Sequence, residues 1–180
     1  ADAVHNSPHV GARFRNICVP STESSAVHHL RNYLPDPIGG LMWATLGCSC
    51  SGIYLPYYVG TQSVPEPFMT GLPGSTNYDP ASAWWTYERL QHTIDNKYPA
   101  AHPHVRHVLD EFEKGAENDT KTVEQEALAA YDAGKTEDAL SILTAFTTEK
   151  LQDGFDLLNG MIGYAYAKTH GLYPAIPGLP

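Results

Sequence analysis

Between residues 11 and 60 short apolar runs are cut at close intervals by proline and glycine, and this punctuation reads as several extended segments joined by turns. Residues 14–19 mix aromatic, β-branched and small apolar side chains and stop at Pro20, which offers no backbone donor to a continuing ladder, so a short strand is expected there. Residues 26–31 fit a strand or a helical turn, because Val27 and Leu30 also match a period of three; the extended reading is preferred. The prolines of LPDP at 34–37 fix φ and push their predecessors extended, and Gly39-Gly40 then lets the backbone turn or another chain come close. Residues 41–46 and 53–59 flank a glycine-bounded GCSCSG in the pattern of a hairpin, with Pro56 marking the second arm as an edge or a bulge. The rest of the chain is expected to pack around this sheet.

Residues 1–10 carry no apolar period and read as an irregular lead-in, and residues 61–78, rich in Pro, Gly, Ser and Thr, as a surface loop. A helix is then expected with Asp79 as cap and Pro80 at its first position, carrying Ala83, Tyr87, Leu90 and Ile94 on one stripe and ending at Tyr98-Pro99. A second follows Pro103, with Val105, Val108, Leu109 and Phe112 on one face, and ends near Gly115; a third holds Val123, Ala127, Leu128 and Tyr131 and stops at Gly134. From Thr136, read as a cap with Glu137 and Asp138 in the first turn, Leu140, Leu143, Leu151, Phe155, Leu158 and Ile162 give one long helix or two joined near Thr147-Thr148. The expected class is α+β: antiparallel sheet elements in residues 1–60, a loop at 61–78, four or five helices in 79–168, and an extended tail at 169–180.

At 180 residues the chain suits one domain and can bury roughly 70% of its unfolded surface. Eleven Lys and Arg against twenty Asp and Glu, a net charge of −9, oppose nucleic acid or an anionic membrane as the main partner. No apolar run approaches the roughly 20 residues that span a bilayer, and no charged segment followed by an apolar one opens the sequence. Of three cysteines, Cys48 and Cys50 are too close in sequence for an ordinary mutual disulfide, leaving at most one cross-link through Cys18. Reduced thiols and a cytoplasmic setting are the expectation, with secretion as the alternative.

The string Arg15-Asn16-Ile17-Cys18, then Thr22-Glu23, Leu30-Arg31, Leu34-Pro35, Ile38-Gly39, Trp43 and the ending YLPYYVG at 54–60, resembles the later half of the dipeptidase A-type cysteine peptidases of family C69, which are N-terminal-nucleophile hydrolases. YDPASAWW at 78–85 is similar to another stretch of that family, and the likeness covers roughly residues 10–98. The resemblance implies hydrolysis of dipeptides by the thiolate of an N-terminal cysteine, with the protein's own α-amine as base, an oxyanion site, and neither metal nor cofactor. This sequence begins Ala1-Asp2-Ala3. The expectation is therefore a carboxy-terminal portion of such an enzyme, whose nucleophile lies on a missing segment or subunit and which is inactive alone and associates with other chains. By resemblance Arg15 lies near the oxyanion or the substrate carboxylate, either of which suits a guanidinium fork; Arg13 and Arg31 are weaker candidates.

Trp43, Tyr54, Tyr57 and Tyr58 either wall a pocket for a small peptide or form plain core, since aromatic rings bury large areas and keep a polar handle. Cys48-Ser49-Cys50 sits on a loop, yet no matching cysteine pair or ordered histidine set completes a zinc constellation. His102, His104 and His107 beside Asp110 read as a solvated helix face rather than a metal site, and His28 and His29 point to opposite faces of a strand. The acidic runs at 110–113 and 124–126 read as solvated faces. Two rival readings are a non-enzymatic helical interaction module over residues 79–168 and a free-standing thiol enzyme using Cys48 or Cys50.

Overall fold

The computed structural model describes residues 18–19, 21–71 and 77–171. The expected lead-in at 1–10, most of the expected strand at 14–19, Arg13, Arg15 and the tail from 172 onward lie outside the described residues.

Among the described residues three antiparallel strands form one sheet: β1 (Ser24–Leu30), β2 (Gly40–Leu46) and β3 (Leu55–Tyr58), in the order β1-β2-β3. Ser24 faces Leu46 and Leu30 faces Gly40 across the first pair, and Leu41 faces Tyr58 and Ala44 faces Leu55 across the second. The strand reading of residues 26–31 and the hairpin reading of 41–46 with 53–59 both hold. Pro56 sits in β3, an edge of this sheet, where a missing N–H removes no rung from a continuing ladder.

The LPDPIGG turn closes as a single helical turn, α1 (Asp36–Gly39), with Pro37 in its first turn, where a missing donor is harmless. Gly39 is required there by close approach: a Cβ on it would stand 2.5 Å from the Arg31 carbonyl oxygen and 3.2 Å from that of Leu34. Both are backbone atoms and cannot rotate aside. Gly39→Ala is therefore expected to cost about 1–3 kcal/mol, the usual range for overpacking, read as a lower urea midpoint with an unchanged slope; an unchanged midpoint would contradict the packing described.

Three long helices follow the sheet: α2 (Ala83–Asp95), α3 (Tyr98–Asp132) and α4 (Thr136–Thr169). Where the sequence predicts four or five segments, two expected helices fuse into the 35-residue α3, which runs through Pro103 and Gly115. The buried positions Ala101, Val105, Leu109, Ala116, Thr120, Val123 and Ala127 continue one stripe across Gly115. Gly115 itself is exposed, and a Cβ added there would meet nothing within 4 Å, so its cost is the modest propensity of glycine, about 1 kcal/mol, set against packing along α4.

Two helix starts also differ from expectation. Asp79 caps a turn, accepting from Ala81 N–H at 2.9 Å, and α2 begins only after Ser82; Tyr98-Pro99 opens α3 rather than ending α2. Lys135 precedes α4, with Thr136 as its first residue. Gly134 ends α3 as predicted, at φ 76°, with Lys135 N–H bonding Ala130 O and its own N–H bonding Tyr131 O, the paired closure of a Schellman motif.

Among the described residues two clusters make the core. Ile53 and Leu55 pack with Leu90, Ile94, Leu109, Leu151 and Leu158, while Ile38, Leu41 and Tyr58 pack with Ala127, Leu143 and Phe146. The sheet is thus gripped by α4 from two places, Leu55 against Gly154 and Tyr58 edge-on to Phe146. The class is α+β.

Candidate functional site

Side chains alternate across a strand, and the register pairs Val27 with Trp43 and His29 with Leu41, which puts these four on one face. That face and Tyr54 form one wall of a groove of about 560 Å³ whose other wall is the middle of α3, including Glu113, Glu117, Lys121 and Glu124. His28, on the other face of β1, does not line it.

Two guanidinium groups set the width of this groove. Arg31, at the end of β1, donates from Nη1 to both carboxylate oxygens of Glu124 at 2.7 Å, and from Nη2 to Ile38 O at 2.7 Å. Tyr58 donates its hydroxyl to the same Glu124 at 2.7 Å, and burial together with that acceptor drives its phenol far above the ordinary range. Arg31 is 8% exposed, so the pair is desolvated on the sheet side and ties β1, α1, β3 and α3 together. Further along α3, Arg106 donates to Asp110 and to Gly52 O, both at 2.7 Å, and lies 2.8 Å from Glu113, which accepts the Tyr54 N–H at 2.8 Å. That second clamp fixes the loop carrying Tyr54. Glu113 and Glu124 are therefore not the solvated face the sequence suggested, whereas Asp110, half-exposed beside Arg106, and Glu111, paired with Lys114 in the open, are.

Of the residues singled out in the sequence, Trp43 and Tyr54 lie together on the groove, with the Tyr54 hydroxyl donating to Ser25 Oγ at 3.0 Å. Tyr57 packs instead against the Ile53–Leu55 cluster, where burial pushes its phenol up, and Tyr58 is core. Arg15 lies outside the described residues. Arg31, a weaker candidate in sequence, is at the groove, and Arg106, which the sequence does not single out, holds its second clamp. The spacing of Arg106 to Asp110 shows an ion pair in sequence, but its bond to Gly52 depends on the fold.

The cysteines depart from the expectation of reduced thiols: Cys18 and Cys48 form a disulfide, their Cα atoms 5.6 Å apart. Cys50 stays outside it, its Sγ 3.7 Å from Cys48 Sγ and 3.7 Å from the Tyr98 hydroxyl. Burial pushes the Cys50 thiol up, which suits a protonated group rather than an activated nucleophile. The histidines do not assemble: His102 stacks on Tyr98 and reaches Cys50 O at 2.8 Å, His104 meets the Tyr164 ring edge-on, and His107 is exposed.

The profile of peptidase family C69 matches residues 2–111, more than half of the chain, covering the sheet, α2 and the first part of α3. A probable dipeptidase B of Streptococcus pyogenes serotype M1 is 27% identical over 139 residues, 73% of this chain and 26% of that protein. A probable dipeptidase B of Lactococcus lactis subsp. lactis is 26% identical over 80 residues, 44% of this chain and 16% of that protein. The chain spans about a quarter or less of the length of these relatives. The family match covers Trp43, Tyr54, Arg31 and Arg106, the residues that shape the sheet wall of the groove and hold it to α3, and by that match the chain belongs to peptidase family C69.

Proposed function

We propose that this chain is the carboxy-terminal portion of a cysteine dipeptidase of the N-terminal-nucleophile type, and that its groove forms part of the peptide site. The groove on a C69 chain is the observation that carries this reading. A ring floor of Trp43 and Tyr54, with the acidic Glu117 and the basic Lys121 on the opposite wall, suits a short zwitterionic peptide: the rings take up side-chain area and the two charges face two termini.

The reaction is amide hydrolysis in two steps. A thiolate attacks the scissile carbonyl, the tetrahedral oxyanion collapses to an acyl-enzyme thioester as the amine leaves with a proton, and water then releases the acid. In this proposal the thiolate belongs to sequence outside these 180 residues, because Cys18 and Cys48 are joined to each other and Cys50 is a poor nucleophile for the reason given above. Arg15 is our candidate for the oxyanion or the substrate carboxylate. β1, an edge strand among the described residues, offers the remainder of the same enzyme a ladder, with Val27 and Leu30, 59% and 77% exposed, on its two opposite faces.

The test compares dipeptide hydrolysis by the complete protein and by the isolated chain. The complete protein is expected to hydrolyse dipeptides, and the isolated chain to show no turnover above buffer. Robust hydrolysis by the isolated chain, lost in Cys50→Ala, would overturn the assignment of the nucleophile.

A further inference from the structure

Independently of the peptidase reading, we propose that Cys18, Cys48 and Cys50 form a redox-gated site for a thiophilic metal ion of the Zn²⁺ or Cu⁺ class. The site is closed while Cys18 and Cys48 are joined and becomes a three-thiolate ligand set when they are reduced. The fold makes this cluster from two distant stretches: Cys18 lies 30 residues before Cys48, and the three sulfurs come within 4.8 Å of one another. Zinc held tetrahedrally by thiolates at about 2.3 Å keeps its sulfurs about 3.8 Å apart. Cys48 Sγ and Cys50 Sγ already stand at 3.7 Å.

The surroundings support ligation. Cys50 N–H donates to Cys18 Sγ at 3.3 Å, an amide–sulfur bond that favours the charged thiolate a metal needs. Cys48 N–H donates to Oε1 of the buried Gln91 at 3.2 Å, and His102 holds Cys50 O, so the loop bearing two of the ligands is pinned from α2 and α3. Cys18 and Cys50 are half-buried, which leaves the cluster reachable by a reductant or an ion. Sulfur ligands select zinc and cuprous copper over magnesium and calcium.

The redox step is a two-electron one. A dithiol gives up two electrons and two protons and closes to its own disulfide, while the Cys18–Cys48 bond opens to two thiols. The metal then displaces the thiol protons of its ligands. In either state residue 18 stays tied to the hairpin loop, by a covalent bond when oxidised and through the metal when reduced.

The experiment titrates the 180-residue chain with Co²⁺ and then Zn²⁺, oxidised and after reduction by a dithiol removed under argon. The reduced chain is expected to take one Co²⁺ with thiolate-to-cobalt charge-transfer absorption that Zn²⁺ abolishes; the oxidised chain should show no such band. Cys50→Ser, which leaves the disulfide in place, should retain the melting temperature of the oxidised chain yet weaken the reduced chain's metal affinity by roughly tenfold or more. Absence of the band from the reduced chain, or Cys50→Ser titrating like the wild type, would overturn the proposal. Cys18→Ser gives the matching loss for the third ligand, and Cys50→Ser remains decisive where Cys18→Ser fails to fold.

Discussion

Glu124→Ala is expected to destabilise the chain by about 3 kcal/mol or more, the usual cost of leaving one member of a desolvated ion pair without its partner. The substitution removes the carboxylate that faces the Arg31 guanidinium, 8% exposed, leaves it the uncharged carbonyl oxygens of Ile38 and Gly39, and removes the acceptor of the Tyr58 hydroxyl. Attraction between an exposed pair is worth roughly 0–1 kcal/mol, so magnitude alone separates the two cases. Arg31→Met with Glu124→Leu should recover much of the loss, since an apolar pair of similar volume leaves no charge uncompensated. Urea unfolding of the two variants measures both effects. A cost below about 0.5 kcal/mol for Glu124→Ala would mean that the contact behaves as a surface pair, and the groove would then lose its main clamp.

Trp43→Ala in the complete enzyme is expected to lower kcat/KM for dipeptides about thirtyfold, the factor that corresponds to losing about 2 kcal/mol from an aromatic anchor in a partly desolvated site. Trp43 is half-buried on the groove face of β2, so truncation also touches packing, and a conservative control is needed. Trp43→Phe keeps a ring on the floor and should recover most of the kinetic loss; the thermal midpoint, measured on the same preparations, reports the packing share. A peptide-binding role moves kcat/KM for all dipeptides with large side chains, whereas a purely structural role moves the midpoint and leaves kcat/KM alone. Wild-type kinetics in Trp43→Ala would remove the groove from the site.

How much of this was legible in sequence follows from which contacts are local. The strand at 24–30 and the hairpin were, because Pro35, Pro37, Pro56 and the glycines at 39, 40, 47 and 52 act on their own residues and neighbours. The closing of α3 by Gly134 was legible for the same reason. Helix lengths were not: Pro103 and Gly115 carry local costs that read as stops, and only packing along α4 shows that the stripe from Leu109 to Ala127 continues. The roles of Glu124 and Glu113 were hidden because their partners, Arg31 and Tyr54, lie 93 and 59 residues away, and a carboxylate on a helix looks solvated until its partner is known. Cys18 meeting Cys48 is a tertiary fact of the same kind. On the site, Tyr54 and Tyr57 look alike in composition; the hold of Glu113 on the Tyr54 backbone and the packing of Tyr57 on the Ile53–Leu55 cluster set them apart.

Labelling the complete protein with a dipeptidyl electrophile that captures the attacking thiolate, followed by mass-spectrometric mapping of the adduct, tests the proposal that this C69 chain supplies a substrate groove to an enzyme whose nucleophile lies elsewhere. One labelled cysteine is expected, outside these 180 residues, with Trp43→Ala slowing the labelling. An adduct on Cys18, Cys48 or Cys50 that tracks the loss of activity would contradict it.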